Sequence, residues 1–171
     1  MIALAKPLGL GIPLGAVILN EKVAAAIQPG QHGTTFGGGP LACRASLEYF
    51  NILEEEKLLE RARAIGAYFK ERLEELKDLP VVKDVRGEGL MLAVELKISG
   101  KEIVKQLLQQ GFILNCTHET VLRLLPPFIV TRAQVRDFLR MFELVLAKTP
   151  RPVSAMEAPS PINSRRLAHS A

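Results

Sequence analysis

Histidine and cysteine are scarce in this chain, and where they fall excludes whole classes of chemistry. Cys43 and Cys116 lie far apart and fit no CxxC or Cys/His spacing, and His32, His118 and His169 stand alone. No metal-ligand cluster and no disulfide framework is written here, and the expectation is two reduced, buried thiols in a reducing cytoplasm. An excess of one charge is missing too. The 22 Lys+Arg and 18 Asp+Glu leave a net charge of only +4, with both signs interleaved from Glu54 to Lys77. Nucleic-acid binders carry a basic stripe, and this chain has none, so no nucleic acid is implied as a partner. Long apolar runs are also absent. The stretch Leu8 to Leu19 is too short to span a bilayer, so no membrane is implied.

That stretch imitates one other signal, because Lys6 followed by apolar residues resembles the charged and hydrophobic regions of a secretory leader. Three glycines and Pro13 spoil a helical hydrophobic region, and the Ala-x-Ala candidate Ala24 to Ala26 lies beyond Glu21 and Lys22. A secreted protein with residues 1–19 as signal peptide is thus a third-ranked reading, behind a soluble cytoplasmic one. With 171 residues, 48% hydrophobic and 23% charged, the composition is that of an ordinary globular chain with enough length for a core.

What is present is concentrated in two loops. Lys6 sits in Ala5-Lys6-Pro7-Leu8-Gly9-Leu10-Gly11, and a Gly/Thr-rich segment follows at Gln31-His32-Gly33-Thr34-Thr35-Phe36-Gly37-Gly38-Gly39-Pro40. An ammonium among apolar and glycine residues is poorly solvated; burial favours the free amine, which condenses with aldehydes. The second loop offers two hydroxyls and unshielded backbone N–H groups just before a helical pattern, the composition of a phosphate site at a helix N-terminus.

Periodicity organises the rest. Gly15 to Leu19 reads as a buried strand, Glu21 to Ile27 as a short helix stopped by Pro29-Gly30, and Leu41 to Leu53 as a helix entered through Pro40. Leu58 to Leu76 is the clearest helix, with Leu58, Ala62, Ile65, Phe69, Leu73 and Leu76 on one stripe. Val81 to Arg86 and Leu90 to Leu96 read as strands around Gly87-Glu88-Gly89. Ile103 to Gln110 reads as a helix closed by Gly111, with strands Phe112 to Cys116 and Thr120 to Leu125 after it. Thr131 and Gln134 form a capping box that starts a last amphipathic helix. From Thr149 the text turns to Pro, Ser, Ala and Arg without periodicity, which reads as a disordered tail.

The two loops, together with Val85-Arg86-Gly87-Glu88-Gly89-Leu90-Met91-Leu92 and Asn115-Cys116-Thr117 through Val121-Leu122-Arg123-Leu124-Leu125-Pro126-Pro127-Phe128, resemble in order and spacing the class-III pyridoxal-phosphate aminotransferases. The likeness runs from Lys6 to about Ala147. It implies an α/β fold, the C-terminal part of a fold-type-I transferase. Residues 1–57 would be a remnant of the large parallel-sheet domain, 58–148 a small α/β C-terminal domain able to fold nearly by itself, and 149–171 the tail.

The resemblance further implies that Lys6 holds pyridoxal 5′-phosphate through a Schiff base and shuttles a proton. Thr35 would donate to the cofactor phosphate of the neighbouring subunit in a homodimer, and Thr34 would lie near the substrate. Local turn hydrogen bonds are the bland alternative for both threonines. Gly39 stands where the family more usually has Asn. Arg123, turned to the face opposite Leu122 and Leu124, would clamp a substrate carboxylate, with a buried ion pair as its alternative. Arg86 reads as structural. The implied reaction moves the distal amino group of N-acetylornithine, or of a related ω-amino substrate such as ornithine, succinylornithine or 4-aminobutyrate, to 2-oxoglutarate in arginine biosynthesis.

In the family, the acidic partner of the ring nitrogen, most of the phosphate cup and the stacking aromatic precede the lysine. Met1 therefore resembles an internal methionine, and an incomplete, inactive chain is expected. A catalytically silent fragment serving as an interaction module, with an exposed apolar strand needing cover, is the second reading.

Overall fold

The computed structural model describes residues 1–35 and 37–150, so the tail reading at residues 151–171 lies outside the described residues. The chain divides into two compact units, Met1–Arg63 and Ala64–Ala171.

The first unit begins with a ribbon in which β1 (Ile2–Leu4) pairs antiparallel with β2 (Ala16–Ile18). Between them a 3-10 turn spans Lys6–Gly9. Helix α1 (Glu21–Ala24) follows, capped by the Asn20 side chain accepting from the Val23 N–H at 3.0 Å. Helix α2 (Pro40–Glu55) then starts with proline in its first turn, where the missing N–H costs nothing. Its Ala42 and Ser46 are buried, as is Leu8 of the 3-10 turn that packs against it.

The strand expected at Gly15 to Leu19 exists but is not buried. Val17 and Ile18 are 59% and 55% exposed, because the only neighbour of β2 among the described residues is three-residue β1. An apolar run signals that burial is sought, not that a covering layer is present.

Helix α3 (Leu58–Glu74) contains the division between the units and buries its expected stripe, Leu58, Ala62, Ile65, Phe69 and Leu73. In the second unit, β3 (Val82–Glu88), β4 (Met91–Leu96), β5 (Asn115–Thr117) and β6 (Val121–Leu124) form one sheet of order β3-β4-β6-β5, with all pairs antiparallel. Alternation buries Leu92, Val94, Leu96, Leu122 and Leu124 and leaves Met91, Ala93, Glu95, Val121 and Arg123 on the other face. Val82 and Val85 are both buried although three residues apart, because a register shift between Val82 and Asp84 resets the alternation.

Helix α4 (Lys101–Gln109) and helix α5 (Arg132–Lys148) pack on one another. Ile103, Leu107, Val135, Leu139, Phe142 and Leu146 are buried, each such side chain contributing roughly 1.5–3 kcal/mol against exposure. Phe138 joins Phe69 and Phe112 edge-on and stacks on Phe142, with centroids 5.1 to 5.8 Å apart. The capping box is present: the Gln134 N–H donates to Thr131 Oγ1 at 3.2 Å, and the Thr131 N–H donates to Gln134 Oε1 at 2.9 Å.

Phe112 to Leu114 are not strand, contrary to expectation. The Gly111 N–H bonds to the Leu108 carbonyl and the Phe112 N–H to the Leu107 carbonyl, a Schellman closure with Gly111 at φ +85°. This closure spends the Phe112 N–H on the Leu107 carbonyl instead of a strand partner, and pairing begins only at Asn115. Both cysteines are free and half-buried, less enclosed than expected.

Candidate active site

Lys6 follows the extended residue Ala5 and opens the 3-10 turn at φ +58°, a left-handed conformation that costs a non-glycine residue on the order of 1 kcal/mol. Proline follows it directly. Leu10, at φ +52°, closes the same turn by donating its N–H to the Pro7 carbonyl at 3.1 Å. Leu8 and Gly9 are buried while Lys6 is exposed. The expected burial of the amine is therefore not supplied within this chain: Leu8 and Gly9 turn inward, while Ala5 and Pro7 on either side of Lys6 are exposed with it.

The glycine loop separates its two threonines. Thr34 Oγ1 accepts the Gly37 N–H at 3.1 Å, the local turn role. A Cβ on Gly37 would meet the Thr34 side chain, so a larger residue there would displace the Thr34 rotamer that makes this bond. Thr35 is exposed, and no side-chain hydrogen bond engages its hydroxyl among the described residues. Gly38 takes φ +69°, Gly39 caps α2 without a side-chain bond, and the ladder begins with Cys43 N–H to Gly39 carbonyl at 3.0 Å. The N–H groups of Leu41 and Ala42 thus have no backbone partner among the described residues and lie at the positive end of the 16-residue α2, the electrostatic setting for an anion.

In the second unit, the sheet register sets Arg86, Ala93, Arg123 and Asn115 in one row across all four strands. Arg86 is committed to carboxylates. Its Nη1 donates to Glu95 Oε2 at 2.6 Å and to Asp84 Oδ2 at 3.3 Å, and Lys83 Nζ donates to Glu95 Oε1 at 2.5 Å. These bonds, Lys83 first and Arg86 next, hold the Glu95 carboxyl below its ordinary range, and Glu95 in turn raises Arg86. The structural reading of Arg86 fits this network. Arg123 differs: it is exposed, its Nε donates to Asn115 Oδ1 at 3.2 Å, and among the described residues no ion pair engages it. The buried-pair alternative fails for it.

A groove of about 630 Å³ runs over this face, lined by Arg86, Glu88, Met91, Ala93, Thr117, His118 and Arg123. Thr34 and Thr35 share one loop, Lys6 lies at a separate turn of the same unit, and Arg123 belongs to the other unit. Asn115 stands eight residues before Arg123 around a short hairpin, a spacing that sets the two opposite one another. Among the described residues no group of three or more His, Cys, Asp or Glu side chains is placed to hold a metal, and no helix is long and apolar enough to cross a membrane.

Residues 1–146 match the family Aminotransferase class-III. The chain is 44% identical over 153 residues to the acetylornithine aminotransferase of Methanocaldococcus jannaschii, covering 86% of this chain and 37% of that protein. It is 41% identical over 145 residues to the ornithine aminotransferase of Staphylococcus carnosus, covering 84% and 36%. Among solved structures it resembles the ornithine aminotransferase from Toxoplasma gondii, crystallized with oxidized glutathione and showing partial occupancy of PLP at its active site. There the TM-score is 0.78 with 35% identity, covering 85% of this chain and 36% of that one. The chain spans little more than a third of the length of the curated relatives it matches.

Proposed function

The chain belongs to the class-III aminotransferases, and from that premise we propose that it is the C-terminal portion of a pyridoxal-phosphate-dependent transaminase. The reaction would move the distal amino group of N-acetylornithine or a related ω-amino substrate to 2-oxoglutarate, in arginine biosynthesis. One observation carries the proposal: inside the matched segment an exposed amine, Lys6, is held in a strained left-handed turn just before proline.

The donor set fits the cofactor. Lys6 offers a primary amine for an aldehyde, Thr35 a hydroxyl for a phosphate oxygen, and the start of α2 two backbone N–H groups that have no partner among the described residues. When bound, pyridoxal 5′-phosphate supplies an electron sink for the carbon that carries the amino group. Lys6 would hold it and then carry a proton to and from that carbon. Thr35 would serve the site of a second copy in a homodimer, with Thr34 shaping the loop beside the substrate. Arg123 would bind a substrate carboxylate through its guanidinium. We assign the acidic partner of the ring, the rest of the phosphate cup and the cover that encloses Lys6 to the length of the relatives that this chain does not span. Residues 1–57 would complete a large domain, and residues 58–148 would form the small one.

The interaction-module reading is favoured by one feature, the apolar residues left exposed in the first unit, among them Ile2, Val17, Leu41 and Leu47. The signal-peptide reading is not favoured, because residues 2–4 and 16–18 pair as strands and the family match begins at residue 1.

The test joins the 171 residues in frame to the preceding part of the Methanocaldococcus jannaschii enzyme. The chimera is expected to transaminate N-acetylornithine, and borohydride reduction with the cofactor should label the peptide holding Lys6. Lys6→Ala should abolish both, leaving folded protein. A fully active Lys6→Ala chimera, or a label mapped only elsewhere, would overturn the assignment.

A further inference from the structure

Two arginines share one row of the open sheet face, and their partners differ in charge. Arg86 is compensated by Asp84 and Glu95, whereas among the described residues Arg123 meets only the neutral amide of Asn115, across the β5–β6 pair. We propose that Asn115 is a positioning residue for Arg123, fixing its guanidinium for end-on capture of a carboxylate in the groove floored by Ala93. The inference rests on the reading of Arg123 as a carboxylate clamp.

A guanidinium can grip a carboxylate side-on, through Nε and one Nη, or end-on, through both Nη groups. Asn115 Oδ1 takes the Nε–H, which blocks the side-on mode and leaves the terminal pair. Because the acceptor is an amide, it orients the group without cancelling its charge. An aspartate there would satisfy the same donor and also neutralise it, as Asp84 and Glu95 do for Arg86. Ala93 stands between the two arginines in the row, and its single methyl leaves the space that the clamped carboxylate needs. Asn115 lies exposed on an edge strand, so changing it removes little packing.

The experiment uses the 171-residue chain, labelled with nitrogen-15, with 2-oxoglutarate as the titrated probe and the Arg123 Nε–Hε signal, assigned through Arg123→Gln, as the readout. In the parent chain this proton should exchange slowly and its signal should move with 2-oxoglutarate. In Asn115→Ala exchange should accelerate and the apparent affinity fall about three- to tenfold, the equivalent of one ordinary intramolecular hydrogen bond. Asn115→Asp should keep the slow exchange yet lose the response, a split that a purely structural role would not produce. If the parent responds and Asn115→Ala responds equally, the positioning role is overturned while the Arg123 reading stands. If the parent shows no response at Arg123, the clamp reading itself falls and takes this proposal with it.

Discussion

Charge on the open sheet face is distributed residue by residue, and Glu95 shows how. Its carboxylate is 19% exposed and accepts from Lys83 and Arg86 together, so its charged form is favoured in the folded chain. A carboxyl depressed by folding contributes stability above its unfolded pKa of about 4.3, and the contribution is lost as pH falls through the lower folded value. Replacing Glu95 with Gln should therefore weaken the chain at neutral pH and down to about pH 5, with the gap from the parent closing as the pH is taken below about 4. Urea unfolding of both proteins at pH 7, 5 and 3 checks this; a gap that stays constant across the series would mean that Glu95 acts through packing alone. High salt should narrow the difference at neutral pH, because both cationic partners lie largely in solvent.

Elements meet closely where α3 passes the turn between β3 and β4. A Cβ built on Gly66 would lie 2.3 Å from the Gly89 carbonyl oxygen and 2.5 Å from its carbon. Backbone cannot yield as a flexible side chain does. Alanine would gain up to about 1 kcal/mol in helix propensity, but pushing helix and hairpin apart costs roughly 1–3 kcal/mol or more. Gly66→Ala should thus lower stability by about 1–2 kcal/mol net, measured as a reduced urea midpoint at unchanged slope. An unchanged or raised midpoint would mean that α3 does not approach the hairpin so closely. Gly66 looks from sequence like a blemish in a good helix, and its reason is a contact with a turn more than twenty residues away. Helix α3 itself was legible because period and burial agree along Leu58, Ala62, Ile65, Phe69 and Leu73, and α5 because its capping box is written in Thr131 and Gln134. Asn115 was not, since its partner appears only once hairpin register is known. Lys6 stands out by its motif, while its exposure is not legible because neighbours along the chain do not decide neighbours in space.

At the scale of the whole molecule the two units differ in how far they close their own cores. Among the described residues the buried apolar side chains of the first unit are Leu8, Ala42, Leu53, Leu58 and Ala62, and the second unit holds all the others. The first unit leaves Ile2, Val17, Ile18, Leu41 and Leu47 each more than half exposed. Its strands are three residues long with one partner apiece, which is marginal for a ribbon in water. The second unit instead has a four-stranded sheet with Leu92, Val94, Leu96 and Leu122 each no more than 1% exposed. Amide exchange should record the contrast: in the 171-residue chain, peptides over residues 1–20 should exchange on the order of a hundredfold faster than those over 91–96 and 121–124. In the chimera with the preceding part of the Methanocaldococcus jannaschii enzyme, residues 1–20 should become protected, because added structure would cover Val17 and Ile18 and enclose Lys6. Equal protection of both regions in the 171-residue chain would show that the first unit is stable as it stands. That outcome would remove the physical reason for assigning its missing cover to the rest of a larger enzyme.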